Sequence, residues 1–302
     1  MRFNISSFFT LAIAATAAVA QPAKRAPLSP NPPHALNKHV DLTALPPVDV
    51  SPITNAKRFA RGLPPLPVKR RPHRGGPHKD GAYHQEGTRV EAVPRAEPSS
   101  TPSTNTKCNI LAKAGDTTLG YISATFNDFG EYGTPQGSQA GALEVSFPEG
   151  STSQVGFVAA NAPDAINSFP YLSAAVGYMS EGDDLGSGSS NYVAITGNSG
   201  PMPAGSPPSN STSNSYSTRT ELAANSETAI WTYDPSTQNI QAVWVNTDGK
   251  SVPTTFVYFV DTETENGGGN TFLATADLGA FQGLFDCTDT CRAVTFTCVP
   301  PA

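Results

Sequence analysis

From residue 107 to the C-terminus the chain is cut into short apolar or alternating runs, none long enough for a substantial helix. They include TLGYISATF (118–126), LEVSF (143–147), QVGFVAA (154–160), YLSAAVGYM (171–179) and NYVAITG (191–197). AIWTY (229–233), IQAVWVN (240–246), TTFVYFV (254–260), TFLATA (271–276) and AVTFTCV (293–299) follow. Strand-length runs rich in β-branched and aromatic residues, broken by Gly, Pro, Ser and Asn, predict an all-β domain. An antiparallel β-sandwich or jelly-roll-like fold is the expected architecture. Only DLGAFQGLF (277–285) reads as helix, with Asp277 as its N-cap. The 196 residues from 107 to 302 suffice for one well-buried core.

The segment before this domain has the opposite character. Residues 21–106 hold 16 of the 28 prolines, 13 of the 19 Lys and Arg, and all five histidines (His34, His39, His73, His78, His84). Too little apolar area to offset chain entropy predicts a disordered, proline-rich basic arm. Lys24-Arg25, Lys57-Arg58 and Lys69-Arg70-Arg71 are dibasic sites that a processing protease of the secretory route would cut. The same KRRPHRGGPHK stretch (69–79) could instead serve as a retained polyanion-binding tail.

Residues 1–20 carry Arg2, an apolar run from Phe8 to Val19 and a small-x-small ending, Ala18-Val19-Ala20. This is the layout of a signal peptide, too short for a permanent membrane anchor. Secretion, to the extracellular space or the cell wall, is the expected localisation. The domain carries 5 basic and 19 acidic residues, a formal charge of −14, against −6 for the whole chain. Such a surface repels phosphate backbones, so neither nucleic acid nor membrane is an expected partner.

All four cysteines lie in the domain. In a secreted chain they read as two disulfides, with three connectivities open. Cys108–Cys298, joining first strand to last, and Cys287–Cys291, closing the CTDTC loop, is the favoured pairing. The C-x-x-x-C spacing differs from that of redox-active pairs, and no zinc knuckle is present, so neither metal nor cofactor is expected.

With no histidine, the domain has no Ser-His-Asp triad, Cys-His dyad or His-ligated catalytic metal. Carboxylate chemistry survives. Candidates are Asp128 and Glu131 in FNDFGEYG, Asp183 and Asp184 in SEGDDLGSGS, and Glu144 in ALEVSF. The plainer readings are a solvated strand face for Glu144 and surface turns for the acidic loops. Asn210 heads the sequon Asn210-Ser211-Thr212 in a long Pro/Ser/Asn loop and is a glycosylation candidate.

The two tryptophans share AIWTYDPSTQNIQAVWV (229–245), which reads as a hairpin turning at DPSTQN. If Tyr233 pairs with Ile240, Trp231 opposes Ala242 and both indoles lie on one face. Exposed, Trp231 and Trp244 would stack on sugar rings; buried, they would anchor the core. Tyr121, Tyr132, Tyr171, Tyr178, Tyr192 and Tyr216 are the other aromatic platforms.

LGYISATFNDFGEYG, DDLGSGSSNYVAITG, AIWTYDPSTQNIQAVWVNTDGKSVPTTFVYF and the ending AVTFTC together resemble a group of uncharacterised secreted proteins of mushroom-forming (basidiomycete) fungi. TNAKRFARGLPPLPVKRR in the arm resembles a segment that often follows the signal peptide in those precursors. The resemblance implies a β-rich extracellular domain and brings no activity with it. The expectation is therefore a secreted, non-catalytic binding or wall-associated module, with extracellular glycan or another secreted or wall protein as partner. Two alternatives stand beside it. One is a histidine-free acid hydrolase, acting on glycosides or resembling the glutamic peptidases, which requires two acids converging in one cleft. The other is a secreted interaction protein or effector with an exposed apolar patch.

Overall fold

The structure, a computed structural model, describes residues 28–38, 40–48, 105–151, 153–161, 168–261 and 269–302. Residues 1–20, expected to be a signal peptide, all three dibasic pairs and most of the DTETENGGGN loop (261–270) lie outside the described residues.

The alternating runs become strands. In chain order they are β1 (Asn105–Ala114), β2 (Thr117–Ile122), β3 (Pro135–Gln136), β4 (Glu144–Pro148), β5 (Phe157–Ala159), β6 (Tyr171–Val176) and β7 (Tyr192–Asn198). The short helix α1 (Ser215–Thr220) precedes β8 (Ser226–Glu227), β9 (Trp231–Asp234), β10 (Asn239–Val245), β11 (Ser251–Pro253), β12 (Thr255–Phe259) and β13 (Thr271–Thr275). Helix α2 (Leu278–Phe285) and β14 (Cys291–Val299) complete the domain. The predicted cap holds: the Asp277 carboxylate accepts the Ala280 N–H at 3.0 Å.

The all-β class is as expected, but the architecture is a closed barrel rather than a sandwich or jelly roll. Eight strands run round it in the order β1, β4, β5, β6, β7, β13, β12, β14, and β14 pairs back onto β1. Every one of these pairings is antiparallel. Closure depends on the length of β1. Its first half, Asn105–Asn109, pairs with β4, and the stretch Asn109–Lys113 pairs with β14. A strand of ten residues can thus serve both edges at once, leaving neither open. Cys108–Cys298 crosses beside this seam, and Cys287–Cys291 closes the loop after α2, as the favoured pairing had it.

Eight strands enclose a space that side chains just fill. Aromatic rings fill this one in a continuous chain: Phe147 on Phe157, Phe157 on Trp231, Trp231 on Phe256, Phe256 on Phe296, and Phe296 on Phe272. Trp231 comes from outside the eight-strand ring. The β9–β10 hairpin has the expected register, Tyr233 opposite Ile240 and Trp231 opposite Ala242. It pairs with β14 only through Asn239 and Ile240.

The outer face of β7 and β13 is covered as well, so every residue of both strands is buried and the alternation is lost. Phe281 and Phe285 of α2 pack on Tyr192, Ala194 and Leu273. Beside them lies the 127–133 loop, whose Tyr132 N–H donates to the Ile195 carbonyl and whose Tyr132 carbonyl accepts from Phe272. Gly130 must be a glycine here: its φ is +79°, and an added Cβ would meet the Ser215 carbonyl oxygen at 2.4 Å.

Residues 28–48 depart from the expectation of a structureless arm. Residues 28–38 and 40–48 include two turns of 3-10 helix, His34–Leu36 and Leu42–Ala44, and lie against the domain with Leu42 and Asn31 buried. Composition misleads here because this part of the arm borrows its core from the barrel's outer face.

Candidate functional site

The tryptophans are core residues. Trp231 and Trp244 are each 0% exposed, and their indole N–H groups donate to the carbonyls of Leu172 (2.9 Å) and Asp183 (2.8 Å). Neither a free ring face nor a free donor is left for a ligand, so ligand binding by these two residues is corrected to core packing and capping. The sugar-platform geometry asked for two indoles on one exposed face; the hairpin turns that face inward.

Four of the five candidate carboxylates, those of Glu131, Glu144, Asp183 and Asp184, have separate partners. Glu144, on β4, pairs with Lys107 at 3.2 Å, while its N–H donates to Asn161. The Asp184 carboxylate accepts from the Thr247 N–H (2.7 Å) and hydroxyl (3.0 Å). Asp183 accepts instead from Asn225 at 2.7 Å, so these two neighbours face different partners. Asp128 presents its carbonyl to Asn37 of the arm. Glu144, Asp183 and Asp184 are thus each engaged with a different partner, Lys107, Asn225 and Thr247.

Glu131 is the exception in environment. It is 2% exposed, accepts from Asn127 at 3.0 Å, and bridges to Thr196 of β7. Burial pushes its carboxyl up to about 7; hydrogen bonds from Asn127 and Thr271 oppose that shift, and the Asp261 charge adds to it. A second buried acid, Glu227 on β8, was not singled out in the sequence. Burial raises it to about 9, with the Val245 N–H opposing. Both oxygens lie 3.2 Å from that N–H. SETAIW (226–231) reads as a strand entry like any other, and nothing local marks Glu227 as buried.

An open cavity of about 570 Å³ lies at the end of β6, between the loop after it and the segment following α1. Tyr178, Glu181, Asp183, Asn210, Tyr216 and Asn225 are among its lining residues. Tyr178 is 39% exposed and is the only large aromatic among the described residues to be so open. Tyr216 is 2% exposed, and its hydroxyl has no partner among the described residues. Burial raises that phenol far above the ordinary range. The sequon residue Asn210 is exposed at the cavity's edge. A second cavity, about 560 Å³, sits by the β9–β10 turn and is lined by Glu149, Tyr233 and Asp234. It offers one partly buried ring and no amide side chain.

Among the described residues no three His, Cys, Asp or Glu side chains cluster so as to hold a metal ion. Nor is any described helix long and apolar enough to cross a membrane. No protein-family model, curated protein or solved structure matches the chain.

Proposed function

We propose that the protein is a secreted, non-catalytic binding module that takes an extracellular glycan in the cavity beside Tyr178. The observation that carries this reading is the pairing of that exposed ring with the Glu181 and Asp183 carboxylates and the Asn225 amide around one opening. A sugar presents an apolar C–H face and a rim of hydroxyls. A ring with acceptors and an amide beside it answers both. The volume lies within the range of small-ligand sites. Two disulfides and an acidic domain fit an extracellular setting.

Calorimetric titration with chitin and β-glucan oligosaccharides tests the reading, using the wild-type protein and Tyr178→Ala. Asn210→Gln is titrated alongside, because a glycan attached there would compete at the opening. The expected result is binding of one oligosaccharide class, weakened about tenfold by Tyr178→Ala. Absence of binding in both Asn210 backgrounds, or equal binding with and without the Tyr178 ring, would sink it.

A further inference from the structure

The Tyr178 cavity is rich in hydrogen-bond acceptors and poor in donors. Among the described residues that line it, Glu181 and Asp183 alone are charged, and there is no Lys, Arg or His. Neither carboxylate belongs to an ion pair among the described residues. Glu181 is exposed, and its carboxylate accepts no hydrogen bond there; only its N–H is engaged, donating to Asn191 at 3.0 Å. Asp183 Oδ2 accepts from the Asn225 amide at 2.7 Å. That bond leaves Asp183 Oδ1 open and spends one of the two N–H groups of the amide. Tyr216 also lines the cavity; it is 2% exposed, and its buried hydroxyl has no partner among the described residues. A buried hydroxyl left unpaired is destabilising, so the free site holds a polar group that a ligand can satisfy.

Which sugar suits this lining follows from the sugar's own donors and acceptors. An N-acetyl group brings one N–H and a carbonyl, adding an acceptor to a rim that already has an excess of them. A protonated amine brings three N–H donors, no acceptor and a positive charge, which two unpaired carboxylates answer best. The open ring of Tyr178 attracts an ammonium over its face as well as an apolar C–H surface. The wider field acts in the same direction. Of the five basic residues from 107 onward, Lys107 and Lys250 are tied to Glu144 and Asp248, and the formal charge of −14 draws cations towards the domain.

We propose, resting on the glycan reading above, that the Tyr178 cavity selects oligosaccharides of amino sugars whose amines are free and protonated, over neutral and N-acetylated ones. The apolar face of one sugar lies on the Tyr178 ring, and Glu181 and Asp183 hold the ammonium. Glu181 is the cleaner determinant of this choice, because its side chain supports no other described residue, whereas Asp183 also anchors Asn225 through its carboxylate and Trp244 through its carbonyl.

The test is calorimetric titration of the full-length protein, wild type and Asn210→Gln, in mildly acidic buffer where the amines carry their protons. The ligands are the glucosamine tetramer, the N-acetylglucosamine tetramer, a β-glucan tetramer and, as charge without a sugar, tetralysine. The expected result is binding of the free-amine tetramer about tenfold tighter than of its N-acetylated counterpart. Glu181→Gln should cut that preference about threefold, and added salt should shrink it as well. Tetralysine, which has no sugar face for the Tyr178 ring, should bind at least about tenfold more weakly than the amino sugar. Equal binding of the two tetramers, or a preference that Glu181→Gln leaves unchanged, would overturn the amine selectivity while leaving the glycan reading in place. Tetralysine binding as tightly as the amino sugar would overturn it in favour of charge alone. Binding of none of the three sugars would remove both the selectivity and the glycan reading.

Discussion

The interior of the barrel and the outer face of β6, β7 and β13 are both buried, but they are buried by different means. Inside, one aromatic ring meets the next from Phe147 through Trp231 to Phe272, and the cover is the wall itself, closed by β14 on β1. Outside, the floor carries Tyr192, Thr196 and Ser173, and the cover is added from elsewhere: α1, α2, the 127–133 loop with its buried Glu131, and residues 28–38 and 40–48. A core that fills its own space has no room to bind anything. Outside the barrel wall, an open cavity with an exposed tyrosine remains at the end of β6. Binding is therefore expected outside the barrel, and the tryptophans, though the largest aromatics in the chain, belong to the inside.

The comparison can be broken most forcefully at the seam. Opening Cys108–Cys298 by Cys→Ala at both positions should cost about 4–5 kcal/mol, because the bridge closes a long loop and clamps the first strand to the last. The same change at Cys287–Cys291 closes a loop of only a few residues and should cost about half as much. Denaturant midpoints of the two variants measure the ratio. Trp231→Ala should cost about 3–5 kcal/mol by the same assay, since it removes the ring that links Phe157 to Phe256.

Spread over several pH units is an effect from the buried acids. Glu131 and Glu227 have folded-state values of about 7 and about 9, above the 4.5 of an ordinary Glu. The folded protein therefore holds protons that the unfolded chain has released, and stability must fall as pH rises from about 4.5 through those values. Over that range Glu131 alone accounts for about 3 kcal/mol. Unfolding free energies measured from pH 4 to 9 should decline steadily, and Glu131→Gln should flatten the part of the slope below neutrality. A protein most stable at pH 8 would contradict the burial of both acids. The smallest expected effect on stability is that of Tyr178→Ala, within about 0.5 kcal/mol, because the ring is exposed. Its effect should appear in ligand binding only.

Strand positions, the Asp277 cap, the hairpin register and both disulfides were legible in the sequence, because each rests on local pattern or on compartment chemistry. Closure was not. Alternation along β1 says that one face is buried, but the double pairing of Asn105–Lys113 with β4 and β14 depends on contacts nearly 190 residues apart in the chain. Nor did the hairpin's one-faced indoles reveal which way that face points. Tyr178 stood among six tyrosines with nothing to separate it; exposure is a property of the fold. The docked arm was hidden by its own prolines, which argue against a self-sufficient core and say nothing about a borrowed one. A faint signal was present: between Arg25 and Lys57 the arm carries Lys38 as its only Lys or Arg, together with Leu28, Leu36, Leu42 and Leu45.

The most direct test of the contrast between an inert interior and a working exterior is hydrogen–deuterium exchange on the full-length protein, with and without chitin and β-glucan oligosaccharides. The account predicts added protection confined to residues 176–183 and 210–225 around the Tyr178 cavity, with the 229–245 hairpin unchanged. Protection centred on that hairpin would place the ligand on the tryptophans and contradict the account.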